Sequence, residues 1–319
     1  MQFQIRKWWG LVVGFILPLA GWAQPSVSFM ELVEQTNTYL DIYSGLSPFY
    51  SDEYLALKDS RLPKVHQDRI KAEAIEFDEP YPDSILTYDL QAEYQSLIMQ
   101  TLVRLTEHPD FEKHDLFELL SEDSDLWIVR SDDGKLYNFS LDEKTGGTYR
   151  SRLSLMYYSD WDIERTYSNP RDWPDDHWDP YSIFAVDGYD RIDTLMTPTG
   201  VKYLLSGYVR GCTACFETSV LLVSFDTSAV RAEFSYSVTL RSYEEGVYYD
   251  PESRTITVEY ETDDLTSDCG CSNELDLEPE STPYWYTGTE DALEPIECRC
   301  VFQFNGEQFE LIESSPEDE

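Results

Sequence analysis

The segment from Leu126 to Tyr158 constrains the fold most, because it predicts three strands joined by two tight turns. Its middle part, Leu136 to Leu141, partly alternates apolar and polar residues, as a strand with two different faces does. The residues Ser-Asp-Asp-Gly-Lys at 131–135 and the pair Gly146-Gly147 lie between the strands, and both are typical of reversals that use positive φ. The segment therefore predicts an antiparallel meander at the centre of the chain.

Helical periodicity precedes the meander. Apolar residues recur at three- and four-residue steps from Phe29 to Tyr43 and again, more strongly, from Ile85 to Leu105. Further strands follow the meander: the stretches 234–240 and 255–260 alternate apolar and polar residues, which predicts one buried and one solvated face. Near the end of the chain, Asn305-Gly306 predicts a type I′ hairpin turn.

These patterns predict an α+β protein with an N-terminal helical portion packed on a large antiparallel β-sheet or sandwich portion. We assign residues 24–122 to the helical region and residues 123–313 to the β region. Residues 314–319 are rich in Asp and Glu, and we expect them to form a disordered tail.

The first 23 residues have the composition of a secretory signal peptide. Arg6 and Lys7 precede an apolar run of about a dozen residues, which ends with the small residues Gly21 and Ala23. That run is shorter than the roughly 20 residues needed to span a bilayer, and no later stretch is long and apolar enough. We predict cleavage after Ala23, no integral membrane segment thereafter, and a periplasmic, outer-surface or secreted location.

The charge balance limits the partners that the chain can bind. It has 62 Asp and Glu against 23 Lys and Arg, a net charge of −39, which repels nucleic acids and anionic lipids. With 41% hydrophobic and 14% aromatic residues, it is not a disordered acidic chain. We interpret the acidity as a solvated, self-repelling surface; the alternative is divalent cation binding, for which calcium would be the cofactor.

All six cysteines lie in the predicted β region, in three close pairs: Cys212 with Cys215, Cys269 with Cys271, and Cys298 with Cys300. An even count in an exported chain predicts disulfides. A Cys-x-Cys pair in a strand places both sulfurs on one face, so two facing strands could be linked twice, Cys269 and Cys271 to Cys298 and Cys300, leaving Cys212 and Cys215 as a local ring. The alternatives are a tetrathiolate zinc site and, at Cys212 and Cys215, a thioredoxin-like redox pair, which the strand that follows disfavours.

The best candidate for a binding face lies between two runs of strands and consists of Trp173, Asp175, Asp176 and Trp178. Aromatic rings stack on the apolar faces of sugars, and carboxylates accept hydrogen bonds from hydroxyls, so a glycan is the ligand such a face would suit. The alternative, which we prefer, is that the tryptophans cover the end of the sheet. A hydrolase with paired carboxylates would draw on the same region, including Asp179 and Asp187.

Other chemical motifs are weak, and we predict no metal site. The residues at 131–134 resemble part of a calcium loop, but they lack its evenly spaced oxygen ligands and its closing Glu. The four histidines have no metal-ligand spacing. The glycosylation acceptor pattern at Asn138-Phe139-Ser140 lies within a predicted strand.

The central segment resembles a motif of a family of exported proteins of Gram-negative bacteria, SDDGKxRxYSWDxxTGGT. The matching residues are 131–135, 136–142 and 145–148, with Leu141 where the family has Trp. The resemblance implies export and a helix-then-sheet layout, and it implies no activity or site residue.

Taken together, the sequence favours a non-catalytic binding or structural protein of the cell envelope or extracellular space. A glycan or an envelope protein is the kind of partner that we expect. The alternatives are a glycosidase-like hydrolase that uses carboxylates and a calcium-dependent binding module.

Overall fold

A computed structural model describes residues 27–47, 53–120, 125–145, 151–160, 184, 187–210, 216–226, 229–240, 245–262, 269–273, 275 and 296–316. The predicted signal peptide, residues 1–23, lies outside these ranges and stays a prediction. The helices are α1 (Phe29–Ser44), α2 (Lys64–Glu76), α3 (Thr87–Thr106) and α4 (Leu116–Leu119). The strands are β1 (Tyr54–Ala56), β2 (Ser84–Leu86), β3 (Leu126–Arg130), β4 (Leu136–Asp142), β5 (Arg152–Tyr158), β6 (Arg191–Thr197), β7 (Gly200–Arg210), β8 (Phe216–Phe225), β9 (Val230–Leu240), β10 (Gly246–Asp250), β11 (Thr255–Thr262), β12 (Ile296–Phe304) and β13 (Phe309–Pro316).

The order of the elements confirms the α+β prediction, with helices first and antiparallel sheets after them. The meander β3–β4–β5 forms the first sheet, β6 to β9 form the second, and β10 to β13 form the third, each in chain order. A small sheet of β1 and β2 lies within the helical portion. Ile85 and Leu86, which the periodicity placed in a helix, belong to β2, and α3 starts at Thr87.

The sheets and helices stack as four layers. One face of the first sheet packs on α1 and α3 through Tyr137, Phe139 and Leu141. Its other face contributes Leu136 and Met156 to a second core, shared with the second sheet. The far face of the second sheet forms a third core with the third sheet. Every residue of β4 is therefore buried, because the strand is covered on both sides.

Local signals explain where the first helix begins and ends. At its start, the Ser28 backbone N–H donates to the Glu31 carboxylate (2.8 Å) and the Glu31 N–H donates to the Ser28 hydroxyl (3.3 Å), which is a capping box. At its end, the buried ammonium of Lys144 donates to the carbonyls of Ser44 (3.2 Å) and Leu46 (3.0 Å). Lys144 also pairs with Asp125 at 3.0 Å, so one side chain joins α1 to the first sheet.

The last hairpin differs from the predicted type I′ turn. Phe304 pairs with Phe309, which leaves a loop of residues 305–308, and Asn305 does not adopt positive φ. Instead, its side-chain oxygen accepts from the backbone N–H groups of Glu307 (2.9 Å) and Gln308 (3.0 Å), as in an Asx turn. β13 continues to Pro316, so residues 314–316 pair with β12 instead of belonging to the predicted tail.

Candidate functional site

Two disulfides link four of the six cysteines. Cys269 is linked to Cys298 and Cys271 to Cys300, with Cα separations of 5.6 and 5.5 Å. Cys298 and Cys300 lie on one buried face of β12, as the spacing predicts. Cys269 to Cys271, however, is a tight turn closed by an N–H···O bond of 2.7 Å between these residues, and not a strand. Cys212 and Cys215 lie outside the described residues.

The turn at residues 269–271 connects the second and third sheets. The Tyr236 hydroxyl of β9 donates to the Gly270 carbonyl (2.8 Å), and the Gly270 N–H donates to the Tyr260 hydroxyl of β11 (2.9 Å). The next residues extend the contact, because the Ser235 N–H donates to the Asn273 side chain (3.0 Å). The turn and its two disulfides therefore fix the relative position of two layers, which is a structural role.

The predicted binding face, Trp173, Asp175, Asp176 and Trp178, lies outside the described residues, as does Asp179. Asp187 is described, and it accepts a hydrogen bond from the Arg152 backbone N–H (3.0 Å). The Arg152 guanidinium pairs with Asp190 (2.9 Å) and donates to the Tyr208 carbonyl (3.0 Å). Asp187 therefore helps to dock the 187–190 segment on the first sheet.

The turn between β3 and β4 uses its acidic residues to hold the fold together. The Asp133 carboxylate accepts from the Ser131 hydroxyl (2.7 Å), the Lys135 N–H (3.2 Å) and the Tyr203 hydroxyl of β7 (2.8 Å). Burial, reinforced by Asp133, raises the pKa of Tyr203, so its phenol stays protonated as a donor. The predicted turn is confirmed, and in the described ranges no three His, Cys, Asp or Glu residues converge as a metal site.

The glycosylation pattern at 138–140 is buried between the first two sheets. The Asn138 amide donates to the Ser154 hydroxyl (2.7 Å) and accepts from the Ser140 hydroxyl (2.8 Å) and the Tyr189 N–H (2.9 Å). Gly188 (φ +79°) passes so close that an added Cβ would lie 2.1 Å from the Ser140 oxygen. This network is a polar connection between layers.

A pocket of about 360 Å³ in the helical portion remains as the candidate site. It lies between α2, the β1–β2 pair and the first turns of α3, and four carboxylates line it: Glu73, Glu79, Asp89 and Glu93. Asp89 and Glu93 share one face of α3, because residues four apart in a helix are neighbours.

Glu79 reaches the pocket through the reversal of the chain that ends α2. Asp78 has φ +55°, and the Glu79 N–H donates back to the Ala74 carbonyl (2.8 Å), as in a Schellman motif. This reversal of the chain brings Glu79 to the pocket wall beside Ala74.

The pocket carboxylates differ in their electrostatic surroundings. Burial favours a higher pKa for Glu93, but hydrogen bonds from Arg69 and His66 (3.0 Å to Nδ1) outweigh it and hold the pKa below its ordinary value. At Asp89 burial raises the pKa, and the nearby charges of Glu79 and Glu93 add to that rise. The pocket thus has excess negative charge on the side of Glu79 and Asp89.

Two tyrosine rings lie at the rim of the pocket. The rings of Tyr54 and Tyr81 lie 4.8 Å apart between centroids, and Tyr54 is part of the pocket wall. Phe77 is 73% exposed at the end of α2. Sequence reasoning missed this site, although the four-residue spacing of Asp89 and Glu93 and the absence of apolar periodicity in α2 were visible signals.

The fold and this pocket define a class: a layered α+β protein whose sheets are joined by disulfides and whose helical layer carries an acidic pocket. Comparisons with known protein families, curated proteins and solved structures give no match. None of the helices in the described part of the chain is long and apolar enough to cross a membrane.

Proposed function

We propose that this protein is an exported, non-catalytic binding protein and that the pocket of its helical layer holds a cationic ligand. The observation that carries the proposal is the set of four carboxylates around one concave site with an aromatic rim. Export is supported by the two disulfides, because such bonds persist in oxidising compartments, and by the signal-like N-terminus.

The charge balance of the pocket favours a cationic ligand. Arg69 forms ion pairs with Glu73 (3.1 Å) and with Glu93, which balances negative charge on one side of the pocket. Among the described residues, the side chains of Glu79 and Asp89 have no hydrogen bond or ion pair, and burial together with the charge of Glu79 raises the pKa of Asp89. A bound ammonium or guanidinium group would reduce this repulsion, and the neighbouring rings would provide cation–π contacts.

The layered body suits such a role, because it holds the pocket elements in place. α3 packs against α1 and the first sheet, and two further sheets cover the opposite side of that sheet. The position of the pocket is therefore set by a large buried core, which limits the ordering cost of binding.

Calorimetric titration with N-acetyl-lysine methylamide, using the disulfide-bonded protein, tests the proposal. We expect saturable binding that weakens about tenfold in a Glu79→Gln, Asp89→Asn double variant and is unchanged in Glu252→Gln, an exposed control on the β10–β11 turn. Absence of binding, or equal loss in the control, would contradict the proposed function.

A second candidate function is carboxylate-dependent hydrolysis in the same pocket. It is favoured by one observation: the pKa of Asp89 is raised and that of Glu93 is lowered, which is the separation that an acid and a base require. In this reading, Asp89 would donate a proton and Glu93 would act as base or nucleophile. Turnover of glycoside substrates that is abolished by Asp89→Asn would support it, whereas recovery of every ligand unchanged would exclude it.

A further inference from the structure

Exposed apolar side chains are concentrated in the chain segment that forms the pocket. Seven of the 17 large hydrophobic residues that are exposed in the described ranges fall between positions 54 and 88. Ile75 and Phe77, which end α2, are 60% and 73% exposed, and Tyr81 is 56% exposed. A concentration of exposed apolar groups beside a charged pocket is typical of a protein-binding surface.

We infer that the ligand of the pocket is a basic, apolar segment of a protein partner, which places a Lys or Arg side chain in the pocket and apolar side chains on the surrounding surface. Phe77 lies one helical turn after Glu73, on the face of α2 that lines the pocket, and Tyr81 packs beside Tyr54 of the pocket wall. We call the surface formed by Tyr54, Phe77 and Tyr81 the docking surface. The inference rests on the proposed function and specifies its ligand.

The dimensions favour a polypeptide over a small cation. A volume of about 360 Å³ is at the low end of small-molecule sites, whereas the exposed rings extend beyond the pocket wall. A lysine or arginine side chain has an apolar stem and a charged end, so it can contact the Tyr54 and Tyr81 rings while its charge meets Glu79 and Asp89. Neighbouring apolar residues of the same segment would then cover Phe77.

Charge complementarity selects among the macromolecules that could occupy the docking surface. A second copy of this chain, an anionic membrane or a nucleic acid would bring further negative charge to a protein of net charge −39. This repulsion rises as two charges approach each other, so it is strongest where the partner contacts the carboxylates of the pocket. A basic segment instead gains from the same field, which also accelerates its association.

The test measures the affinity of the disulfide-bonded protein for a short peptide in which lysine and leucine alternate. Two control peptides replace every leucine with serine or every lysine with glutamate. We expect the alternating peptide to bind at least about tenfold more tightly than N-acetyl-lysine methylamide and than the serine peptide, and we expect the glutamate peptide not to bind. The affinity of the alternating peptide should fall with added salt.

Variants separate the apolar and the acidic contributions. Phe77→Ser should weaken the alternating peptide about tenfold and leave the lysine derivative within about twofold, because a single lysine residue occupies only the pocket and its tyrosine rings. Tyr81→Ser should weaken both ligands, because the Tyr81 ring contacts the lysine side chain. Met196→Ser on β6 removes an equally exposed apolar side chain far from the pocket in sequence and should change nothing. Because these residues are exposed, thermal unfolding should show that each variant folds as the parent does.

The outcomes distinguish the two proposals. If the lysine derivative binds but the alternating peptide binds no tighter, or if Phe77→Ser has no effect, the docking inference is overturned and the proposed function stands. If neither ligand binds, both are overturned.

Discussion

The two neighbouring disulfides should contribute to stability in a strongly non-additive way. We consider two variants, one that replaces Cys269 and Cys298 with alanine and one that replaces Cys271 and Cys300, together with the variant that combines them. Alanine is preferable to serine, because Cys298 and Cys300 are buried and a hydroxyl there would lose its hydrogen bonds to water.

The magnitude follows from the loops that the bridges close. Each bridge joins residues 29 apart, so the first one formed restricts the unfolded chain by about 3.5 kcal/mol in the loop-entropy account. Once it exists, the second closes only a small ring made of residues 269–271 and 298–300, which contributes about 2 kcal/mol. Removing either bridge should therefore cost about 2 kcal/mol, and removing both about 5.5 kcal/mol.

Urea unfolding of the four proteins without reductant, at one pH, measures these free energies and forms a double-mutant cycle. The reasoning would be refuted if the combined variant lost no more than the sum of the two separate losses, about 4 kcal/mol.

Three further predictions concern single side chains. Gly188→Ala should destabilise the protein by about 3 kcal/mol in urea unfolding, because its Cβ meets buried oxygens, whereas Gly134→Ala, with a similar positive φ but open space, should cost about 1 kcal/mol. In the folded protein the pKa of Glu93 lies below 4.5, so its ionised carboxylate stabilises the fold at higher pH and this benefit is lost on acidification. The pKa of Asp89 in the folded protein lies above 3.8, so the ionised Asp89 carboxylate destabilises the fold at neutral pH. Glu93→Gln should therefore lower and Asp89→Asn raise the melting temperature near pH 7, both differences closing as the pH falls through the pKa of each group in the folded protein, and parallel shifts would contradict this. Lys144→Met should cost about 3 kcal/mol at neutral pH by urea unfolding, because it leaves a carboxylate and two helix-end carbonyls without their donor, and a loss under about 1 kcal/mol would argue against it.

Local patterns predicted the features that depend on neighbouring residues. The meander from Leu126 to Tyr158 could be identified, because turn composition at 131–135 and strand composition on either side are properties of a few consecutive residues. The periodic residues of α1 and of most of α3 are likewise the buried ones. The disulfide count at residues 269–300 followed from close spacing and a predicted oxidising location.

Features that depend on distant residues could not be predicted in this way. Ile85 continues the apolar stripe of α3, yet it is in β2, because pairing with Leu55 of β1 outweighs helical periodicity there. Cys269 to Cys271 forms a turn instead of a strand, because it crosses from β9 to β11, where its Gly270 carbonyl accepts from Tyr236 and its Gly270 N–H donates to Tyr260. The pocket joins four carboxylates from three chain segments, so no single stretch carries its signature.

The burial of Asn138 explains how one strand determines the arrangement of the layers. Its amide finds partners only where Ser154 of β5 and the Tyr189 N–H of the next segment both lie within hydrogen-bond distance. A shift of β4 by one residue would turn Asn138 towards the helices, where the facing side chains are apolar, and would leave the Tyr189 N–H unpaired. The same shift would turn Phe139 towards Gly188, where there is no room even for a methyl group. The polar side of β4 therefore specifies its register, and the opposite side then orients α1 and α3, on which the pocket depends.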